Sequence, residues 1–160
     1  MIRQIENYLL KVISFILVLQ GLGLVVLIGL EVFFRYVVGS ALSWPEEVAG
    51  IVFVWFTLLG IALVMREDEH IAFDYLMKHS PPVVGKIIMA FSLLVIQIYA
   101  LTMIYYGYSY ARTFSFETTP AARINLLWLN LSLPVSGLLI IIYSLLKVVE
   151  LFKSPGRKAE

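Results

Sequence analysis

Four uncharged runs constrain this chain more than any other feature: Val12–Leu30, Val48–Met65, Ile87–Ala111 and Ile124–Leu146. Each is about 18 to 25 residues long, enough for a helix to cross a hydrocarbon core of about 30 Å. Inside hydrocarbon a backbone has no water to bond, so it must bond to itself, and the runs are expected to be helices. The chain is 61% hydrophobic and 14% charged, whereas a soluble domain carries about 25% charged residues. The expected fold is therefore an all-α membrane protein with four transmembrane helices. One domain is expected over residues 1–150, followed by a polar, disordered tail over 151–160.

The placement of Lys and Arg sets the expected orientation. Arg3 and Lys11 precede the first run, and Arg66, Lys78 and Lys86 lie between the second and third. Lys147, Lys153, Arg157 and Lys158 follow the fourth. Only Arg35, Arg112 and Arg123 lie on the other side. Nine against three places both termini and the middle loop in the cytoplasm. The first run is longer than a signal-peptide core and no small-x-small cleavage site follows it, so it reads as a membrane helix.

Polar groups mark the ends of these helices. Glu31 and Arg35 stand four apart, share a face and can pair. Gln20, eleven residues before Glu31, falls within about 20° of it on the helical wheel. Ser43-Trp44-Pro45-Glu46 fits a capping box, with Ser43 accepting from the first turn and Glu46 favoured by the helix dipole. Glu46 and Glu47 point in different directions, which leaves one acid for a basic partner. After the second run, His70, Asp74 and Lys78 form one stripe of a short amphipathic helix expected in the cytoplasmic interface, with Ile71–Met77 holding it at the membrane surface. Tyr99, Tyr105, Tyr106, Tyr108 and Tyr110 suit an aromatic belt. Gln97, near mid-span, needs a partner on another helix or subunit. Pro134 is expected to kink the fourth helix.

Several function classes are excluded. With no cysteine there is no thiolate catalysis and no Cys-based metal site. Both histidines lie in the middle loop, so none can hold a haem within the membrane. His70 and Asp74 lack a third ligand for a metal. No Ser/His/Asp set, phosphate-binding Gly loop or Gly/Pro-broken span is present. A net charge of +1 gives no reason to expect nucleic acid, and no cofactor is expected. The chain is expected to be part of a larger assembly and not an enzyme.

The order of these signals resembles the small membrane subunit, the dicarboxylate-type Q component, of tripartite ATP-independent periplasmic (TRAP) transporters. The resemblance rests on Arg35-Tyr36, Trp44-Pro45-Glu46-Glu47, Trp55, Gly60, His70-Ile71 and Asp74, with Thr119-Pro120-Ala121, Pro134 and Gly137 in the last hairpin. It covers roughly residues 5 to 150. Glu31 stands where such chains often carry an amide.

The resemblance implies a scaffold in the bacterial inner membrane with no substrate or sodium site of its own. A large multi-span subunit would move a small organic acid (a sugar acid, dicarboxylate or keto acid) by a sodium-driven elevator motion. A soluble periplasmic protein would deliver that acid. On this reading Gln20, Glu31, Arg35, Trp55 and Gln97 are candidate contacts for the large subunit. Glu46, Glu47, Arg112, Glu117 and Arg123 are candidate contacts for the periplasmic protein, and the interfacial helix meets lipid. The polar tail favours a large subunit on a separate chain. Two other readings stay open: an autonomous small four-helix transporter using Glu31, and a membrane anchor of another complex. The substrate itself and the oligomeric state are not fixed by these residues.

Overall fold

The structure, a computed structural model, describes residues 2–67 and 82–153. Five helices and one π turn are found there: α1 (Ile2–Phe33), the π turn Phe34–Val38, α2 (Trp44–Glu67), α3 (Pro82–Thr113), α4 (Leu127–Asn130) and α5 (Ser132–Lys153). The four expected spans are helical; the first three helices run past their uncharged cores at both ends, while the fourth starts only at Leu127 and is interrupted at Leu131. The interfacial helix expected around His70, Asp74 and Lys78, and the tail beyond Lys153, lie outside the described residues.

Four stretches are long and apolar enough to cross a membrane: Tyr8–Val38, Trp44–Met65, Ile87–Thr113 and Leu127–Leu146. The first has 31 residues, about 46 Å at 1.5 Å per residue, so it must tilt or carry its ends into the headgroups. It closes through the π turn onto Gly39, whose φ of 74° is the left-handed cap that glycine adopts freely. The N–H groups of Gly39 and Ser40 both return to the Phe34 carbonyl.

The helices pack as an open layer in the order α1, α2, α5, α3. Helix α1 leans on α2, α2 on α5, and α5 on α3, while among the described residues α1 and α3 do not meet. Burial peaks in the fourth span, which has a neighbour on each side: 44% of its apolar stretch is buried, but only 6% of that of the first. Ile13, Leu59, Ala62, Ala100, Met103, Ile140 and Tyr143 form the interior. Many other apolar side chains, Phe15, Val25, Ile87 and Phe91 among them, are exposed, which suits lipid or a membrane partner, since lipid removes the hydrophobic penalty for leaving them uncovered.

The tightest contact is between α3 and α5. A β-carbon on Gly107 would meet Leu133 and Pro134, and one on Gly137 would meet Ile104 and the Ala100 carbonyl. Small residues on both helices therefore let the backbones approach, which is how membrane helices gain packing energy without a hydrophobic drive. Ser132, Ser136 and Ser144 lie on the inner face of α5 and are fully buried. Pro134 lies in the first turn of α5 and not mid-helix, so the expected kink takes the form of a break at Leu131. Pro134 has no N–H to give the Asn130 carbonyl, and in an unbroken helix its ring would clash with that carbonyl.

Candidate functional site

The end of the layer formed by residues 39–43 and 114–126 holds most of the chain's ordered polar structure. Glu47, in the first turn of α2, ties that helix to the second of these loops. Its Oε1 accepts from the Ala121 N–H at 2.9 Å, and its Oε2 accepts from Ala122 at 2.7 Å and from Ala121 at 3.2 Å. A carboxylate that accepts backbone N–H groups forms one of the stronger kinds of hydrogen bond. The capping-box expectation is corrected here. Among the described residues Ser43 makes no bond into the first turn. The start of α2 is instead fixed by the buried Pro45 and by Glu47.

The segment that Glu47 holds is itself a tied hairpin. Thr118 and Asn125 form an antiparallel bridge. The Thr119 N–H donates to the Ile124 carbonyl at 2.9 Å, and the Leu126 N–H to the Glu117 carbonyl at 2.9 Å. The buried Thr119 hydroxyl accepts from the Ile124 N–H at 3.1 Å, and its carbonyl accepts from Arg123 at 3.1 Å. Asn125 works at both ends: its Nδ2 donates to the Ser115 carbonyl, and its Oδ1 accepts from the Leu127 N–H, both at 2.7 Å. The second bond is an Asx turn that leads the chain into α4, whose N-cap residue is Leu126. Two turns along α2 from Glu47, the Trp55 indole N–H donates to the Trp128 carbonyl at 2.8 Å. Helix α2 thus holds the last hairpin at two points.

The other candidate residues divide clearly. Arg35 donates to Glu31 at 2.6 Å, with the Glu31 side chain only 17% exposed and that of Arg35 50% exposed. Glu46, Arg112, Glu117 and Arg123 are exposed and, among the described residues, make no side-chain hydrogen bond or ion pair. Gln20 buries its Oε1 without a partner. Gln97 is half-buried on α3 and makes no side-chain hydrogen bond among the described residues. His70, Asp74 and Lys78 lie outside the described residues. The resemblance picked out Thr119 and Gly137 but gave them no contact, and no role was read from sequence for Asn125 or Gly107. An Asn shortly before a helical run is an Asx-turn signal that pointed to Asn125.

Three shallow apolar grooves run along the layer. One of about 380 Å³ lies between α2 and the start of α5, lined by Phe53, Thr57, Leu129 and Leu133 among others. A second, of about 520 Å³, follows α2 past Thr57, Gly60 and Ile61. The third, of about 360 Å³, lies between α3 and α5 along Tyr106, Gly107 and Leu133. Thr57 borders the first two and Leu133 the first and third. No charged residue lines any of them. Among the described residues no three His, Cys, Asp or Glu side chains gather as metal ligands would. Such grooves can seat apolar helices or acyl chains, and they carry no cationic side chain to pair with an organic anion.

The sequence matches the family described as tripartite ATP-independent periplasmic transporters, DctQ component, over residues 24–154. The chain belongs to the DctQ family. It is 24% identical over 154 residues to the sialic acid TRAP transporter small permease protein SiaQ of Vibrio cholerae serotype O1, covering 96% of this chain and 87% of that protein. A putative TRAP transporter small permease protein of Haemophilus influenzae is 28% identical, covering 90% of this chain and 89% of its own length. The sialic acid TRAP transporter permease protein SiaT of Haemophilus influenzae is 29% identical over 109 residues, or 68% of this chain but only 18% of SiaT. This DctQ chain is thus a small TRAP permease subunit, a membrane component of a transporter and not an enzyme.

Proposed function

We propose that this DctQ component is the fixed scaffold of a sodium-coupled TRAP transporter that imports a small organic acid across the bacterial inner membrane. It would hold a large elevator-type membrane subunit and help a periplasmic substrate-binding protein dock. The open layer carries this reading. Two of its four helices lean on a single neighbour, and two mid-span amides, Gln20 and Gln97, have a bond to give or accept. A partner helix that supplies those bonds and fills the apolar grooves would complete the packing that the chain lacks alone.

The excess of Lys and Arg at the ends of the chain and in the middle loop puts the tied hairpin on the periplasmic side. There Glu46, Arg112, Glu117 and Arg123 are free to meet a soluble protein, and Glu47 contributes by shaping the hairpin that presents them. Gln20, Gln97 and the exposed half of the Glu31–Arg35 pair are the contacts assigned to the large subunit. Trp55 belongs with those contacts through the open part of its ring, its indole N–H being taken up by Trp128. Two relatives carry sialic acid, a sugar acid, in their names. A sugar acid therefore stands with dicarboxylates and keto acids as the substrate class, recognised by the other subunits.

The test is purification of this chain, tagged at its C-terminus, from mild-detergent membranes of its native host, followed by mass spectrometry. An approximately equal amount of the transporter's large multi-span subunit supports the scaffold. Recovery of a stable homodimer alone would refute it and return attention to Glu31 as a transport site.

A further inference from the structure

We infer that the groove between α2 and the start of α5 seats a membrane helix of the large subunit, and that Asn130 pairs there with a polar side chain of that helix. The inference rests on the scaffold role proposed above and names a contact that would carry it. Asn130 ends α4 and is only 7% exposed, yet it lines this groove of about 380 Å³. Its amide offers two N–H donors and a carbonyl acceptor, and it makes no side-chain hydrogen bond among the described residues. The other polar side chains of the groove are committed within the chain. Thr57 donates to the Phe53 carbonyl at 2.8 Å, and Ser132 to the Leu129 carbonyl at 2.5 Å. The Ser136 hydroxyl also lacks a partner but is sealed inside the chain, whereas the Asn130 amide opens into the groove. Buried amides are nearly always bonded, and one left unpaired in an apolar setting bears a desolvation cost. The occupant of the groove has to supply the missing bond.

Depth selects that occupant. Trp55, bonded to Trp128 of α4, lies eight residues along α2 from Glu47, about 12 Å inward from the clamp. Every residue that lines the groove falls within the apolar stretches Trp44–Met65 and Leu127–Leu146. A soluble protein does not reach that level. An acyl chain does, but it has no atom that bonds an amide, and the ester and phosphate groups of a lipid stay at the boundary. The backbone of a helix in hydrocarbon is bonded to itself. From a partner helix the bond therefore comes from a side chain, and Ser, Thr, Asn and Gln are the residues that make such bonds between membrane helices.

The experiment uses the intact transporter in native membranes, with this chain tagged at its C-terminus. A photo-crosslinking benzoylphenylalanine replaces Phe53, an exposed residue on the groove wall, and the crosslinked peptide is identified by mass spectrometry. The expected product joins this position to a membrane helix of the large subunit that carries Ser, Thr, Asn or Gln within about two turns of the crosslink. Recovery of the large subunit should fall about three- to thirtyfold under dilute conditions in Asn130→Leu and in Asn130→Ala, which adds no volume. The purified variants should melt as the unaltered chain does, or higher. Unchanged recovery in both variants, or a crosslinked helix without such a side chain, would overturn the role of Asn130. A melting temperature lowered in both would show that the amide serves the chain itself and would also overturn it. A crosslink only to phospholipid or to a second copy of this chain, with the large subunit still recovered, would overturn the occupant and leave the scaffold standing. Failure to recover the large subunit with the unaltered chain would remove the scaffold reading and this inference together.

Discussion

Gly107 of α3 lies against Pro134 of α5 so closely that a β-carbon on the glycine would stand 2.8 Å from the proline Cδ and 2.8 Å from the Leu133 Cβ. Neither atom is the end of a flexible side chain, so the helices would have to move apart. Overpacking of this kind costs about 1–3 kcal/mol, against about 1 kcal/mol gained from replacing a helical glycine by alanine. Gly107→Ala is expected to lower the melting temperature of the purified chain in mild detergent. Gly50→Ala, where a β-carbon meets nothing within 4 Å, is expected to leave it equal or higher. Equal melting of both variants would mean that the crossing is looser than its geometry indicates.

Replacing Glu47 by Ala frees the Ala121 and Ala122 N–H groups and detaches the hairpin from α2. Hydrogen exchange at those two amides should accelerate by about tenfold or more, as the loss of charge-assisted bonds requires. Glu46→Ala, at an exposed position one residue away, should leave exchange in residues 114–126 unchanged. Were the two variants alike, the clamp would not be what orders the loop.

The spans and the Glu31–Arg35 pair were legible because each follows from local rules: uncharged length for a membrane helix, and a four-residue spacing for a shared face. The partner of Glu47 was not legible. It consists of two backbone N–H groups on alanines more than seventy residues away, and a backbone donor leaves no mark in the sequence. For the same reason Ser43 was assigned the cap that the structure does not give it, since Ser-Trp-Pro-Glu fits the local rule whichever way Glu47 turns. Arg123, at a φ of 53°, is a sharper case. Left-handed backbone is ordinarily written as Gly or Asn, so an arginine there could be found only from the fold. Trp55 matched a family position but carried no sign that its N–H would be taken up by Trp128 within the chain.

That bond gives a third prediction. In Trp55→Phe the ring volume is largely kept while the donor to the Trp128 carbonyl is lost. A hydrogen bond between membrane helices contributes about 0.5–1.5 kcal/mol. The variant should therefore melt slightly lower in detergent. The Leu127–Asn130 amides should exchange faster, and the Glu47-held amides should not. An unchanged exchange rate in α4 would show that packing alone positions it.

Ser136 leads to the opposite expectation. Its hydroxyl is fully buried and without a hydrogen-bond partner, so it bears a desolvation cost that no bond offsets. Ser136→Ala should leave the chain as stable or more stable by up to about 1 kcal/mol. Ser132→Ala, whose hydroxyl donates to the Leu129 carbonyl at 2.5 Å where α4 gives way to α5, should be destabilising. A clear loss in Ser136→Ala would indicate a buried water bonded to that hydroxyl.

Gln97 separates the chain alone from the chain in its assembly. Its amide is half-buried near the middle of α3 and makes no side-chain hydrogen bond among the described residues, so Gln97→Leu removes nothing the isolated subunit uses. The purified chain should melt as before or slightly higher, because an amide in an apolar setting gives way to an apolar group of similar size. In the transporter the same change would remove an interhelical bond of about 0.6–2 kcal/mol. Recovery of the large subunit with the tagged chain should then fall about three- to thirtyfold under dilute, competitive conditions. Full recovery with Gln97→Leu, in a preparation where Gly107→Ala lowers stability as expected, would take Gln97 out of the partner interface and leave that face of α3 to lipid.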